Sequence, residues 1–260
     1  MRFDVVTLFP ELFAPFMEAG VARRAYASGQ IELKLWNLRD FAEGNYRRVD
    51  DRPFGGGPGM VMLAEPLARC LQAIQGERAD AAPVVLFSPI GAALNHAAVE
   101  RWSAGEGAVL ICGRYEGIDQ RFIDAHVTHQ ISLGDFVLSG GEIAALALLD
   151  AVARLQPGVL NDEGSHQADS FNPAVDGLLD CPHYTRPEEW AGQRVPAELL
   201  SGHHAQIERW RREQRLALTA RLRPELVEAA RRSNALTPQD ERFLSDFGLQ
   251  RTSGKREQLL

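Results

Sequence analysis

Short apolar runs that alternate with longer helix-like segments constrain the fold of this chain more than any other feature. Four such runs, rich in Val, Ile and Leu, occupy residues 3–8, 31–36, 84–87 and 108–112. This alternation predicts an α/β fold. Runs without a polar face are typical of a mostly parallel sheet covered on both sides. Ligands bind such sheets beyond the carboxyl ends of the strands, so the loops after these runs are candidate binding sites.

The character of the chain changes after the α/β part. A polar stretch containing Gly and Pro follows, without helical or strand periodicity. Beyond it the chain is rich in Arg, Glu, Leu and Ala, and apolar residues are spaced for one helical face: Ile207, Trp210, Ala217 and Leu218. We therefore predict an α/β domain at 1–160, a linker at 161–175 and a small all-α domain at 176–250. The polar residues 251–260 are expected to fray.

Charge limits the classes of partner. The formal net charge of -7 argues against nucleic-acid binding over the whole surface, because phosphate contacts need clustered Lys and Arg. Residues 186–223 nevertheless contain eight Arg and five Glu, a local charge of about +3. This stretch is either a solvated helix with internal ion pairs or a local basic face.

Cysteine usage and the N-terminal sequence indicate the compartment. Cys70, Cys112 and Cys181 are too few and too scattered for a disulfide framework, which suggests a reducing environment. The first ten residues lack the basic, apolar and small-residue regions of a secretion signal. The most apolar run, 143–149, is far shorter than the roughly 20 residues that cross a bilayer. We expect a cytoplasmic protein with no membrane association.

Three segments after or between the apolar runs are candidates for ligand binding. Residues 87–91 (FSPIG) end one run, and 112–117 (CGRYEG) end another, with polar and aromatic groups between two glycines. Residues 132–142 (SLGDFVLSGGE) lead into a helix predicted from Glu142 to about Arg154, and Ser139 and Glu142 match a capping box. Two adjacent glycines in that segment indicate a backbone that passes close to a ligand or another segment.

A glycine-rich stretch at residues 54–59 (FGGGPG) resembles a phosphate-binding loop only superficially. It lacks the Lys-Ser/Thr pair that reaches phosphates and metal, and no dinucleotide-binding fingerprint follows the first run. A mobile lid or substrate-approach loop is the better interpretation.

Arg154 and Asp169 have two alternative roles. An Arg at a helix C-terminus commonly complements the helix dipole, and an Asp before Ser commonly begins a turn. Together, near glycine loops, the same two residues would supply a carboxylate base and a guanidinium that stabilises an anion.

Four long motifs, taken in order, strongly resemble the TrmD-type tRNA (guanine-N(1)-)-methyltransferases. They are residues 51–60 (DRPFGGGPGM), 112–117 (CGRYEG), 134–142 (GDFVLSGGE) and 179–187 (LDCPHYTRP). The resemblance extends from residue 8 to about residue 224. It implies a SPOUT-type α/β domain with a parallel sheet and a deep trefoil knot, a fold that the patterning by itself does not predict.

The resemblance also implies a binding site for S-adenosyl-L-methionine in three loops. The matching cofactor-binding residues are Phe87, Ser88, Pro89, Gly113, Tyr115, Glu116, Gly117, Leu133, Gly134, Asp135, Phe136, Val137, Leu138, Gly140 and Gly141. Asp169 falls where the family has its general base, and Arg154 where it has the residue that steadies the guanine. The family departs from this sequence at Ile90, Phe136 and His203, where Gln, Tyr and Asn are common.

By the same resemblance the reaction is methylation of N1 of guanosine 37 in tRNA, next to the anticodon, which supports reading-frame maintenance. The family acts as a homodimer whose active sites combine residues of both subunits. It is associated with Mg²⁺, for which Glu116 is a candidate ligand, although one carboxylate identifies no metal site. The helix bearing Arg209, Arg211, Arg212 and Arg215 is the expected contact for the tRNA backbone.

Three other functions remain open at this point. The chain is compatible with methylation of another RNA, such as ribosomal RNA, or with a non-catalytic RNA-binding module, against which the presence of Arg154 and Asp169 counts. A zinc protein using four ligands is the weakest alternative, because their spacing fits no common zinc pattern. Those ligands are Cys181, His183, His203 and His204.

Overall fold

The computed structural model describes residues 1–161 and 166–253, with side chains described up to residue 248. Residues 162–165 of the expected linker and residues 254–260 of the expected frayed terminus lie outside this part of the chain. Residues 251–253 continue the last helix rather than fray. The chain divides into two compact units, Met1–Asn161 and Asp162–Leu260.

The first unit is built on a five-stranded sheet in the order β2-β1-β6-β5-β7. All four strand pairs are parallel. The strands are β1 (Arg2–Thr7), β2 (Glu32–Asn37), β5 (Val84–Ala93), β6 (Gly107–Ile111) and β7 (His129–Ser132). A small antiparallel pair, β3 (Asp50–Asp51) and β4 (Val61–Met62), lies outside this sheet. The predicted α/β fold with a parallel sheet is therefore confirmed.

Six α-helices belong to this unit: the first five lie between its strands and the sixth follows β7. They are α1 (Ala14–Glu18), α2 (Arg23–Ala27), α3 (Ala64–Glu77), α4 (His96–Ser103), α5 (Gln120–His126) and α6 (Glu142–Arg154). Short 3₁₀ turns at Pro10–Leu12 and Leu38–Phe41 follow β1 and β2. Among the described residues, no helix is both long and apolar enough to cross a bilayer.

Apolar clusters cover both faces of the parallel sheet. On β6, Ala108 and Leu110 belong to one cluster, and Val109 and Ile111 to the other, as the two-residue period of a strand requires. Helix α6 closes the first cluster, and α3 closes the second. Burial on both faces explains why β6 and the first four residues of β5 are apolar throughout rather than alternating.

Strand β7 was not predicted, because only Ile131 of its four residues is strongly apolar. It lies at the edge of the sheet, where one side of the strand has no partner strand and fewer apolar side chains are needed. Its position matters for the site, since it forms one wall of the cavity described below.

Strand β5 is interrupted by an excursion between Phe87 and Ala92, which pair with the same residue, Ile131, of β7. The four intervening residues leave the ladder and return to it. Gly91 permits this path: a Cβ atom there would lie 2.5 Å from the carbonyl carbon of Gln130. The loop predicted after residue 87 thus exists, but it is a break within a longer strand rather than the end of one.

The second unit is mainly helical. Its helices are α7 (Ala197–Leu200), α8 (His204–Leu222), α9 (Pro224–Arg232) and α10 (Pro238–Ser253). A 3₁₀ turn (Pro173–Val175) and a two-residue hairpin of β8 (Glu189–Trp190) and β9 (Gln193–Arg194) precede them. We had predicted an all-α domain here, and this hairpin shows that the unit also contains a small amount of β structure.

The buried face of α8 differs from the predicted one. Trp210, Leu216 and Thr219 are buried, whereas Ala217 and Leu218 are only partly so. The Thr219 hydroxyl donates to the carbonyl of Arg215 and accepts from the Leu179 amide. These two hydrogen bonds satisfy the hydroxyl group inside the core. A polar residue therefore occupies a core position that a search for apolar periodicity overlooks.

Candidate active site

A cavity of about 400 Å³ opens beside the β5 excursion and the ends of β6 and β7, at the edge of the sheet where ligands of parallel sheets bind. Three segments enclose it: the β5 excursion, the loop after β6 and the long loop between β7 and α6. The volume falls in the range of small-molecule sites, and glycine backbone forms much of the wall.

The fifteen residues predicted to bind a donor nearly all line this cavity. Those in the wall are Phe87, Ser88, Pro89, Gly113, Tyr115, Glu116, Gly117, Leu133, Gly134, Phe136, Val137, Leu138, Gly140 and Gly141. Asp135 lies in the same loop, but its side chain is exposed and is not part of the wall.

Several lining residues were not among the predicted ones. They are Leu86, Ile90, Arg114, Ile118, Gln120, Ile123, Gln130, Ile131, Ser132, Ser139 and Ala144. Ile118, Gln120 and Ile123 come from α5 and the turn before it. Nothing in the local sequence marks them, because their contribution depends on how α5 packs against the sheet.

The loop after β6 holds Tyr115 in an unusual backbone conformation. Its φ of 60° lies in the left-handed region, which is uncommon for an aromatic residue. The amide of Glu116 donates to the carbonyl of Met60 (3.0 Å), and the amide of Gly117 donates to that of Arg114 (3.3 Å). Strain maintained by surrounding hydrogen bonds is typical of functional loops, and here it presents Tyr115 to the cavity.

In the loop between β7 and α6, two positions must be glycine because the backbone there passes very close to the loop after β6. A Cβ atom at Gly141 would lie 2.8 Å from the Cα atom of Cys112, and one at Gly140 would lie 2.2 Å from Nε of Arg114. The Gly141 amide donates to the carbonyl of Gly113 (2.9 Å). The adjacent glycines therefore bring this loop directly against the loop after β6, as their sequence position suggested.

An ion pair fastens the same two loops together. The Arg114 guanidinium lies 2.9 Å from the carboxylate of Glu142, whose side chain is only 1% exposed. The second oxygen of that carboxylate accepts from the hydroxyl of Thr7 at 2.8 Å, and the guanidinium stacks over the ring of Phe9 at 4.5 Å. Burial raises the pKa of the adjacent Cys112 thiol, and the Glu142 carboxylate adds to this effect.

The predicted capping box at residues 139–142 is wrong, although the helix begins at Glu142 as expected. Gly141 is the cap residue, and no side chain caps the helix. The Glu142 carboxylate turns instead toward Thr7 and Arg114. A buried cation is a stronger partner for a carboxylate than a backbone amide at a helix start, so the tertiary contact replaces the local one.

The glycine-rich stretch 54–59 lies against the cavity loop. A Cβ atom at Gly59 would lie 2.4 Å from Cγ of Glu116, so the Glu116 side chain packs directly over glycine backbone. Phe54, at the start of this stretch, is completely exposed. In residues 1–161 and 166–248, Glu116 belongs to no group of three metal-ligating side chains.

Arg154 and Asp169 occupy different units. Arg154 is the last residue of α6 and is half-buried. Asp169 is half-buried in a turn, in which its amide donates to the carbonyl of His166 (3.3 Å) and its own carbonyl accepts from the amide of Asn172 (3.2 Å).

The four α8 arginines that we predicted to contact tRNA are each paired with a carboxylate. Arg212 lies 3.0 Å from Asp240 and 2.7 Å from Asp176, and Arg215 lies 3.2 Å from Asp180. These two guanidiniums stabilise the unit. Arg209 and Arg211 pair with Glu213 and Glu208 on the same helix, and their side chains are 66% and 45% exposed. Of the four predicted phosphate contacts, only these two present a solvent-facing cation.

The four-ligand zinc site does not form within the described part of the chain. Asp180, Cys181 and His183 come within 4.8 Å of one another, but His203 and His204 are not part of this group. Burial opposes a low pKa for Asp180, yet the Cys181 amide, His183 and Arg215 outweigh it and lower the pKa. These partners already occupy the carboxylate.

Comparison with known proteins identifies the family of the chain. A family model described as tRNA (Guanine-1)-methyltransferase TrmD matches residues 1–229. The tRNA (guanine-N(1)-)-methyltransferase of Polaromonas sp. strain JS666 is 75% identical over 252 residues, covering 95% of this chain and 97% of the relative. Relatives of the same name from Paracidovorax citrulli (73% over 249 residues, 94% and 98%) and Bordetella pertussis (59% over 257 residues, 97% and 100%) are also similar. The chain therefore belongs to the TrmD family of tRNA (guanine-1)-methyltransferases.

Proposed function

We propose that the chain transfers the methyl group of S-adenosyl-L-methionine to N1 of guanosine 37 in tRNA, next to the anticodon. The observation that carries the proposal is the cavity formed by the three loops, in a chain of this family. Within the proposal, residues 1–160 bind the donor, 161–175 link the two parts and 176–250 bind tRNA. Methylation beside the anticodon supports reading-frame maintenance.

The walls of the cavity suit a nucleoside with a charged sulfur centre. Glycine backbone at Gly113, Gly140 and Gly141 lets a ligand approach main-chain amides and carbonyls. Tyr115 and Phe136 offer aromatic faces to a purine. The remaining predicted donor residues surround the same space, and Asp135 takes part only through its loop.

Asp169 acts as the base in this proposal. Guanine N1 carries a proton at neutral pH and is a poor nucleophile until that proton leaves. The Asp169 carboxylate removes it, while the Arg154 guanidinium donates hydrogen bonds to O6, where negative charge gathers. N1 then forms a bond to the methyl carbon as the bond from carbon to sulfur breaks, leaving S-adenosylhomocysteine. The cavity aligns the two reactants for this in-line displacement.

The target guanine must be unpaired, because N1 lies on its Watson–Crick edge. A base in an anticodon loop meets this requirement. Arg209 and Arg211 are the contacts that we propose for the tRNA backbone, since exposed helix ion pairs are weak and exchange readily for phosphates. Each phosphate contact makes the affinity for tRNA fall as the salt concentration rises.

The SPOUT-type knot, the homodimer and a cytoplasmic location belong to the same proposal. The close approach of Gly141 to Cys112 is consistent with a chain that threads past the loop after β6. The exposed side chains of Phe136, Val137 and Ile143 supply apolar surface for a second subunit. Among the described residues, Glu116 belongs to no group of three metal-ligating side chains that could hold Mg²⁺. No step of the mechanism therefore depends on this ion.

The proposal is tested with methyl-labelled donor and two unmodified tRNA transcripts that differ only at position 37. We expect label in the transcript with guanosine 37, and mapping should locate it at N1 of that base. Equal labelling of a transcript with adenosine 37, or labelling of ribosomal RNA alone, would exclude the proposed substrate. Replacement of Asp169 by Ala should abolish transfer while donor binding persists; near-normal turnover would remove Asp169 from the role of base.

A further inference from the structure

The wall of the cavity contains a glutamine, Gln130, that the predicted donor residues do not include. Gln130 lies on β7 opposite Leu86 of β5, and paired residues of neighbouring strands place their side chains on the same face of a sheet. On this face the cavity wall also includes Ile118 and Ile123. Gln130 therefore lies on the same face of the sheet as the apolar side chains of Leu86, Ile118 and Ile123.

The side-chain oxygen of Gln130 is buried and accepts no hydrogen bond from any described residue. A buried acceptor without a partner is unfavourable, and such groups are rare unless a ligand or a bound water completes them. Gln120, the other glutamine in this wall, differs because it is exposed to solvent, and its amide nitrogen donates to Asp124 at 2.7 Å. Gln130 is thus the glutamine of this wall whose side-chain oxygen is left to be satisfied.

We propose that the side-chain amide of Gln130 binds the methyl donor directly, accepting a hydrogen bond from one of its N–H or O–H groups. This inference rests on the proposed function, because the donor is the molecule expected to fill the cavity. S-adenosylmethionine carries such groups at both ends: the adenine amino group and ribose hydroxyls at one, the ammonium group at the other. In this proposal Gln130 adds a polar side-chain contact to the specificity of the site.

The test compares the parent protein with a Gln130→Met variant, which keeps the length of the side chain and removes its polar atoms. Two quantities are measured: the melting temperature without ligand, and the Kd for S-adenosylmethionine by calorimetry. Because the buried oxygen lacks a partner without donor, we expect an unchanged or higher melting temperature in the variant. We expect its Kd to rise by roughly 5- to 20-fold, as loss of one hydrogen bond to a ligand predicts.

Gln30→Met provides a matched control. The side-chain oxygen of Gln30 is also buried without a partner, but Gln30 lies outside the cavity wall, and its amide nitrogen donates to the carbonyl of Pro157 at 2.9 Å. This variant should lose some stability and bind the donor as the parent does. The Kd values of S-adenosylhomocysteine and of methylthioadenosine, which lacks the amino-acid end, are then measured for the parent and for Gln130→Met. Comparing the two changes in Kd identifies which end of the donor Gln130 contacts.

The outcomes separate this inference from the proposed function. A Gln130→Met variant that binds the donor within twofold of the parent overturns the inference and leaves the function standing. A variant with a lower melting temperature shows that the amide already has a structural role, which also overturns it. If the parent itself binds no S-adenosylmethionine, the proposed donor fails, and the inference fails with it.

Discussion

Replacement of Glu142 by Gln should destabilise the protein strongly, although the two side chains have nearly the same shape. The Glu142 carboxylate is 1% exposed and lies 2.9 Å from the Arg114 guanidinium. Breaking a buried ion pair by removing one partner costs about 3–5 kcal/mol, because it leaves a charge without compensation. Arg114 retains 19% exposure and regains some hydration, so we expect the lower end of this range, about 3 kcal/mol.

Urea unfolding at pH 7, followed by circular dichroism, measures this loss, and thermal unfolding should show a fall of about 6–12 °C for a chain of this size. The single variant Arg114→Met should cost more, since it strands a carboxylate that is almost completely buried. The double variant removes both charges and keeps an acceptor for the Thr7 hydroxyl. It should come within about 1 kcal/mol of the parent, because an apolar replacement of a whole buried pair is often neutral.

Two results would refute this reasoning. A loss below about 1 kcal/mol in Glu142→Gln would mean that the pair behaves like an exposed surface ion pair. A double variant as unstable as the sum of the single variants would show that the two side chains act independently.

Three further predictions concern other parts of the chain. Burial opposes a low pKa for Asp240, but hydrogen bonds from Arg212 and Thr237 outweigh it and lower the pKa. A lowered pKa in the folded state stabilises the protein above the unfolded-state value of about 3.9, and this contribution is lost as the pH falls through the folded-state pKa. Asp240→Asn should therefore be less stable than the parent at pH 7 in urea titrations, and the difference should shrink below about pH 4; a constant difference from pH 7 to pH 3 would contradict the ion pair. Gly91→Ala should destabilise the protein by about 1–3 kcal/mol in the same assay, since its Cβ atom would meet the backbone of Gln130. The control Gly76→Ala, in α3 with open space around it, should stabilise the protein by about 0.5–1 kcal/mol. Equal effects of the two substitutions would show that the β5 excursion tolerates a side chain. The native protein should react slowly with a thiol reagent at pH 8, because every cysteine is buried and burial raises the pKa of each thiol. The protein unfolded in urea should react rapidly. Rapid modification of the native protein would indicate that the core opens and exposes Cys70, Cys112 or Cys181 to the reagent.

Patterns in the amino-acid sequence were enough to predict the class of fold and the loops that line the cavity. Strands buried on both faces are apolar throughout, so β6 and the first four residues of β5 were visible as apolar runs. The strands β1 and β2 were visible as well, although polar residues stand among their apolar ones. The adjacent glycines at 140 and 141 indicated a close backbone approach, which the contact with Cys112 provides. Four motifs in order were specific enough to indicate the family, which the comparisons confirm.

How side chains from distant segments meet depends on the three-dimensional packing and could not be predicted from local patterns. The Glu142 carboxylate matched a local cap in the sequence, but Thr7 and Arg114, remote in the chain, hold it instead. Strand β7 carries one strongly apolar side chain and is fixed by its pairing with β5 rather than by its own pattern. The unpartnered oxygen of Gln130 is likewise invisible in a sequence, because the absence of a hydrogen bond depends on every neighbour that the fold brings near. Local propensity and periodicity specify elements, whereas burial and long-range electrostatics specify which polar groups are satisfied and which are left to bind a ligand.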